Sequence, residues 1–173
     1  MGNNWKITDT LTKVFADEVP DGQGSIRLST LHRETVSCVI AYFGAADWGR
    51  YWKVSVKAPE KIETRLRRVE LVPSAYPCHK EQDDNYLRIV PGMYPDLLRD
   101  LDTEGDGADK KYLTKEVPGQ WRSLWLDVTV DAELAGGDYA IMIETETEDG
   151  EKETLKADLH VVDASLPPQK LLH

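Results

Sequence analysis

Cysteine is scarce in this sequence. It occurs twice in 173 residues, as Cys38 inside an apolar run and Cys78 in a proline-rich stretch, too few for a disulfide framework and without metal-ligand spacing. Both are expected as free thiols, with Cys38 packed as a small apolar residue. Basic charge is in deficit as well. Lys and Arg number 21 against 31 Asp and Glu, a formal net charge of −10, which disfavours a nucleic-acid or anionic-lipid surface because such surfaces need clustered cations to replace counterions. The one dense basic run, Lys61 to Arg68, alternates into a strand and reads as its wet face. No window approaches the roughly 18 apolar residues of a membrane span. Met1-Gly2-Asn3-Asn4 has neither the basic start nor the apolar core of a signal peptide, so the chain as written is expected in the cytoplasm, or secreted if a leader has been removed.

Catalytic patterns are equally sparse. His32, His79, His160 and His173 are not clustered, no Gly-x-Ser-x-Gly elbow is present, and Gly22-Gln23-Gly24 lacks the third glycine and following helix of a dinucleotide loop. Asp17-Glu18 and Asp83-Asp84 are adjacent acidic pairs in open polar stretches, which give a carboxyl no enclosure to raise its pKa. No catalytic residue, metal site or cofactor is expected. Asp102, Glu104 and Asp106, with Gly107 following, match the opening of a calcium loop. Leu113 stands where the bidentate Glu belongs, so a solvated acidic loop is the first reading and a bound cation the second.

What is present is β pattern. In the last third, Leu124, Leu126, Val128 and Val130 alternate with Trp121, Ser123, Asp127 and Thr129, a half-buried strand whose polar face Trp125 interrupts. Next comes a hairpin. A two-residue loop at Asp149-Gly150 would set Ile143 opposite Lys156. A three-residue loop, Glu148-Asp149-Gly150 with Gly150 left-handed, sets Tyr139 opposite Leu159, Ile141 opposite Ala157 and Ile143 opposite Leu155, and leaves Glu146 facing Lys152. Three successive antiparallel strands are therefore expected, Trp121 to Val130, Asp138 to Thr147 and Glu151 to Val162.

Earlier, Trp5 to Leu11 reads as an edge strand and Ser25 to Thr30 as an alternating one. Glu34 to Phe43 is apolar on both faces and should be central and covered on both sides. Tyr51 to Lys57 points Trp52, Val54 and Val56 inward. Ile62 to Val72 slips phase near Arg67-Arg68, where a bulge would re-phase it. From about 73 to 118 the periodicity stops. A short strand at Tyr86 to Val90 and a helical turn at Pro95 to Leu101 are the local readings there, within an irregular excursion that packs over the sheet or a neighbour. The fold class is all-β, an antiparallel immunoglobulin-like or jelly-roll-type β-sandwich. Residues 1–168 form one domain and 169–173 begin a linker.

Between the strands, Val14-Phe15-Ala16-Asp17-Glu18-Val19-Pro20, Gly92-Met93-Tyr94-Pro95-Asp96-Leu97-Leu98, Gln120-Trp121-Arg122-Ser123-Leu124-Trp125, Gly137-Asp138-Tyr139 and Leu166-Pro167-Pro168-Gln169 occur in an order that resembles the N-terminal β-sandwich domain of glycoside hydrolase family 123 and its uncharacterised relatives. The resemblance implies a larger parent. In it the sandwich precedes a (β/α)₈ barrel that cleaves terminal β-linked N-acetylgalactosamine, using the substrate's acetamido group as nucleophile and an adjacent Asp and Glu on the barrel. No position of this chain inherits those roles. The implied partner is the C-terminal catalytic barrel of the same polypeptide, with glycans as the alternative and neither nucleic acid nor membrane expected. Trp48, Trp121, Trp125 and Tyr94 are the candidate contacts, because an exposed aromatic face suits either a neighbouring domain or a sugar ring.

Overall fold

The computed structural model describes residues 4–46, 48–78 and 86–166. His79, Asp83-Asp84, His173 and the linker expected at 169–173 lie outside them. Among the described residues eleven strands form two sheets and no α-helix occurs. They are β1 (Trp5–Thr8), β2 (Ser25–His32), β3 (Thr35–Phe43), β4 (Tyr51–Lys57), β5 (Ile62–Ser74), β6 (Gly92–Asp100), β7 (Thr103–Glu104), β8 (Lys111–Lys115), β9 (Trp121–Val130), β10 (Gly137–Thr147) and β11 (Lys152–Ser165). Sheet A has the order β1-β3-β9-β5-β6 and sheet B the order β2-β11-β10-β4-β8-β7. The fold is a β-sandwich.

The hairpin expected from side-chain parity is present in the same register, Tyr139 opposite Leu159, Ile141 opposite Ala157 and Ile143 opposite Leu155. Gly150 has φ +83°, the left-handed position that the three-residue loop needs and that a side chain resists. The first of the three expected strands is placed differently: β9 lies in sheet A, while β10 and β11 lie in sheet B. Both carry a buried apolar row, Leu124 to Val130 on β9 and Ile141 with Ile143 on β10. Facing sheets let the two rows share one core, which neighbours in a single sheet could do only side by side.

That core also takes Cys38, Ile40 and Tyr42 from β3, Trp52 and Val54 from β4, Leu66 from β5, and Leu155, Ala157 and Leu159 from β11. Burial, with the nearby Asp127 carboxylate, pushes the Cys38 thiol up to about 12, so it stays protonated and inert. β3 is covered on both faces, as its composition requires. One of its rows enters the main core while Val39 and Ala41 enter a smaller one with Val14 and Trp121.

Four expectations are corrected. Residues 73–118 hold β6, β7 and β8, so part of the expected excursion is strand. Tyr86 to Val90 is not a strand, and Pro95 to Leu101 is mostly the outer strand of sheet A instead of a helical turn. Proline is tolerated there because an edge strand leaves part of its backbone without a ladder partner. The bulge falls at Glu70/Leu71 instead of Arg67-Arg68, and the extra residue, Asp96, belongs to β6, since Glu70 pairs with Leu97 and Leu71 with Pro95. β5 keeps one register along β9 from Ile62 to Val69. Leu66 therefore points into the main core and Val69 to the outer face.

Candidate docking face

The two outer faces of the sandwich differ in chemistry. On sheet B, the outward residues of β4, β10 and β11 form a lattice of opposite charges: Lys57 pairs with Glu144, Lys152 and Lys111 with Glu146, Lys156 with Asp158, and His160 with Asp138. The lysines beside Glu146 hold its carboxyl below the usual range. A hollow of about 460 Å³ on this face is lined by Lys53, Lys57, Lys111, Glu144, Glu146 and Lys152, among others. Such a surface is built to stay wet.

Sheet A differs over the half of its outer face nearest Trp121, which is apolar, whereas toward Val130 Arg65 pairs with Asp100 and Arg67 with Asp127. Cross-strand pairs place Phe43 beside Trp121, Ala41 beside Ser123 and Val39 beside Trp125, with Val69 beyond Ser123 and Leu98 beyond Val69. The segment between β1 and β2 crosses this face and seats Val14 against Val39, Ala41 and Trp121. A hollow of about 210 Å³ remains beside it, bordered by Val14, Val39, Val69, Leu98 and Trp125 with several polar residues. At the Trp121 end, Phe15, Tyr86, Leu87, Tyr94 and Pro95 help to line a second hollow of about 540 Å³. Tyr86, Leu87, Ile89 and Val90 expose their side chains along this rim.

One half-buried polar group orients Trp125. Asp127 accepts from the Trp125 indole at 2.7 Å and from Ser37 Oγ at 2.7 Å, both on Oδ1, while Arg67 engages Oδ2. Burial works to raise its pKa, but these donors prevail and the carboxyl sits below the usual range. The sign follows from linkage. A depressed folded pKa stabilises the fold above the unfolded value of about 3.9, and that contribution is lost as pH falls through the folded value. Asp127→Asn is therefore expected to lower the urea midpoint at pH 7 and to leave a much smaller difference from wild type near pH 2.5. An equal difference at both pH values would contradict this role.

The candidate contacts are placed unequally. Trp48 is 62% exposed in the loop before β4. Trp121 was expected on a solvated face but is 8% exposed, because the residue 10–18 segment covers it, Phe43 lies 5.4 Å from its ring and Lys6 Nζ lies 5.3 Å above it. Trp125 and Tyr94 are half-buried, and Tyr94 packs edge-on against Phe15 at 5.6 Å. The structure brings Trp125 and Tyr94 to the sheet A side and leaves Trp48 apart from the aromatic rim. Sequence reasoning missed Tyr86, Leu87, Ile89 and Val90, whose run of apolar residues was read as a strand.

Glu104, in the acidic loop, is taken by Lys53 at 2.7 Å, and Asp106 opens a 3₁₀ turn at Gly107–Asp109 without a side-chain cap. Among the described residues no group of three His, Cys, Asp or Glu is placed to hold a metal ion. Asp17 and Glu18 lie in a turn with exposed carboxylates, both paired with Arg88.

No family model matches the sequence, and no curated protein matches it. Among solved structures, a family 123 glycoside hydrolase from Clostridium perfringens superposes with a TM-score of 0.65 at 10% identity, over 94% of this chain and 28% of that one. The N-terminal domain of PorA gives 0.45 at 7% identity over 93% and 99% of the two chains. The C-terminal domain of the Streptococcus agalactiae polypeptide BspA gives 0.43 at 14% identity over 91% and 49%. The first of these shows that the sandwich spans a little over a quarter of the chain it resembles, and at 10% identity the likeness is one of fold.

Proposed function

We propose that this sandwich is a non-catalytic accessory domain of a glycoside hydrolase, packing the outer face of sheet A and its apolar rim against a catalytic domain of the same polypeptide. The observation that carries the reading is the asymmetry of the two faces. One is a paired charge lattice, while the Trp121 half of the other borders Tyr86, Leu87, Ile89 and Val90, whose side chains are left in water, a patch of the kind that marks an interaction surface. The fold likeness to a family 123 glycoside hydrolase supplies the class of parent, and the resemblance in the inter-strand segments supplies terminal β-linked N-acetylgalactosamine as the parent's substrate.

Size is compatible with this arrangement. The face is about 30 Å long for strands of nine or ten residues, and a barrel of roughly 250 residues has a radius of gyration of about 18 Å. Leu166 closes the described chain beside His32, its N–H donating to the His32 carbonyl at 3.2 Å, at the end of the sandwich opposite the rim. A following domain would thus lie along sheet A to reach the rim.

The alternative, a carbohydrate-binding module, draws on Trp48, whose indole is the most exposed of the candidate aromatics. An NMR titration of the 173-residue chain with N-acetylgalactosamine and β-linked oligosaccharides separates the two. The packing reading expects no saturable shifts from a folded sample. Saturable shifts centred on the Trp48 or Trp125 indole would overturn it.

A further inference from the structure

We infer that Arg88 is a clasp that pre-organises the docking rim, holding Tyr86–Val90 against the segment that crosses sheet A. The inference rests on the packing reading above and adds to it a positioning residue. Tyr86–Val90 has no strand ladder of its own, yet four apolar side chains of this stretch must be presented together if the rim is to dock. Tyr94 Oη and Cys78 Sγ reach its backbone carbonyls, and the side-chain contacts that tie it to the crossing segment converge on Arg88. The Arg88 guanidinium lies 3.9 Å from the centre of the Phe15 ring. It donates to both carboxylate oxygens of Asp17, at 2.7 and 3.3 Å, and to Glu18. Asp17 is held below the usual carboxylate range by that contact. From the other side Tyr94 Oη lies 2.6 Å from the Val90 carbonyl and 3.2 Å from that of Arg88, and Tyr94 itself packs on Phe15.

The arrangement suits a local device better than a source of global stability. The Arg88 side chain is only 12% exposed, whereas its partners Asp17 and Glu18 are 70% and 62% exposed, and ion pairs with such open partners add little to the stability of a whole domain. They can still order a short stretch that has few other contacts, since local opening and global unfolding are separate events. A planar guanidinium stacked on a ring and forked onto a carboxylate is also specific to arginine.

The test uses the isolated 173-residue chain with Arg88→Gln and with the Asp17→Asn/Glu18→Gln double variant, which leaves Arg88 in place. Backbone ¹⁵N order parameters at Leu87–Val90 are expected to fall below about 0.6, and chymotryptic cleavage after Tyr86 or Leu87 to become about fivefold faster, with Tm within about 2 °C of wild type. Unchanged order parameters and cleavage in both variants would overturn the clasp, and so would a Tm that falls in step with faster cleavage. The same variants attached to a following domain separate this inference from the reading beneath it. If the clasp opens but the attached domain never protects residues 86–98, the packing reading fails and the clasp stands. If wild type and Arg88→Gln are protected equally, the clasp fails and the packing reading stands.

Discussion

Replacing Trp5 by alanine is expected to destabilise the fold by about 4 kcal/mol, as for a fully buried aromatic. Trp5 is 1% exposed on a four-residue edge strand. It stacks on Tyr42 with centroids 4.8 Å apart and meets Trp52 edge-on at 5.2 Å, so it joins β1 and β3 of one sheet to β4 of the other. Removing it leaves a cavity that its two aromatic neighbours cannot easily collapse into. It also frees Tyr42, whose hydroxyl is hydrogen-bonded to Thr114 at 2.8 Å and whose burial raises the phenol pKa. The Trp5 indole N–H has no hydrogen-bond partner among the described residues. Trp5→Phe therefore loses no polar contact and should cost less than half as much. Urea unfolding with an unchanged m-value would report both, and for a chain of this size the alanine variant's Tm should fall by about 12 °C. Equal losses for alanine and phenylalanine would contradict the packing argument.

The second large effect is expected at the loop end of the same core, where a carboxylate is buried. The Glu116 side chain is 1% exposed, and its Oε1 accepts from the Trp52 indole at 2.8 Å and lies 3.4 Å from Arg50, which also engages Glu151. Oε2 has no partner among the described residues. Arg50→Met would strand this charge without its counter-ion, and about 3 kcal/mol of stability should be lost. Glu116→Gln keeps an acceptor for the indole while removing the charge, so it should cost about 1 kcal/mol. In that background Arg50→Met should cost far less than it does alone. A double-mutant cycle from denaturant curves would show a coupling of about 2 kcal/mol. Additive losses would mean that the two side chains contribute through separate packing.

Glu116 also illustrates what the sequence conceals. Nothing in Lys115-Glu116-Val117-Pro118 marks a buried carboxylate, because its partners Arg50 and Trp52 are more than sixty residues away and are brought to it by sheet B. The hairpin of β10 and β11 was legible for the converse reason. Its partners are close in sequence, and a period of two allows only one loop length to align Ile141 and Ile143 with Ala157 and Leu155. β6 was not legible, since Pro95 in mid-strand and Leu97, Leu98 and Leu101 at helical spacing both argue against a strand, and only its edge position permits the first. Trp121 was misread because alternation along β9 distinguishes two faces but cannot say that a remote segment, carrying Val14, covers the second one. The exposed apolar rim escaped notice because Tyr86–Val90 has strand-like composition and no strand partner among the described residues.

The measurement that tests the central claim most directly is a hydrogen-exchange comparison of the isolated 173-residue chain with the same chain attached to the catalytic domain proposed to accompany it. The account expects added protection on sheet A and its rim, at residues 10–15, 69, 86–98 and 123–125, while Lys53, Glu144, Lys152 and their neighbours on sheet B exchange as before. Protection confined to the sheet B lattice, or none on either face, would contradict it.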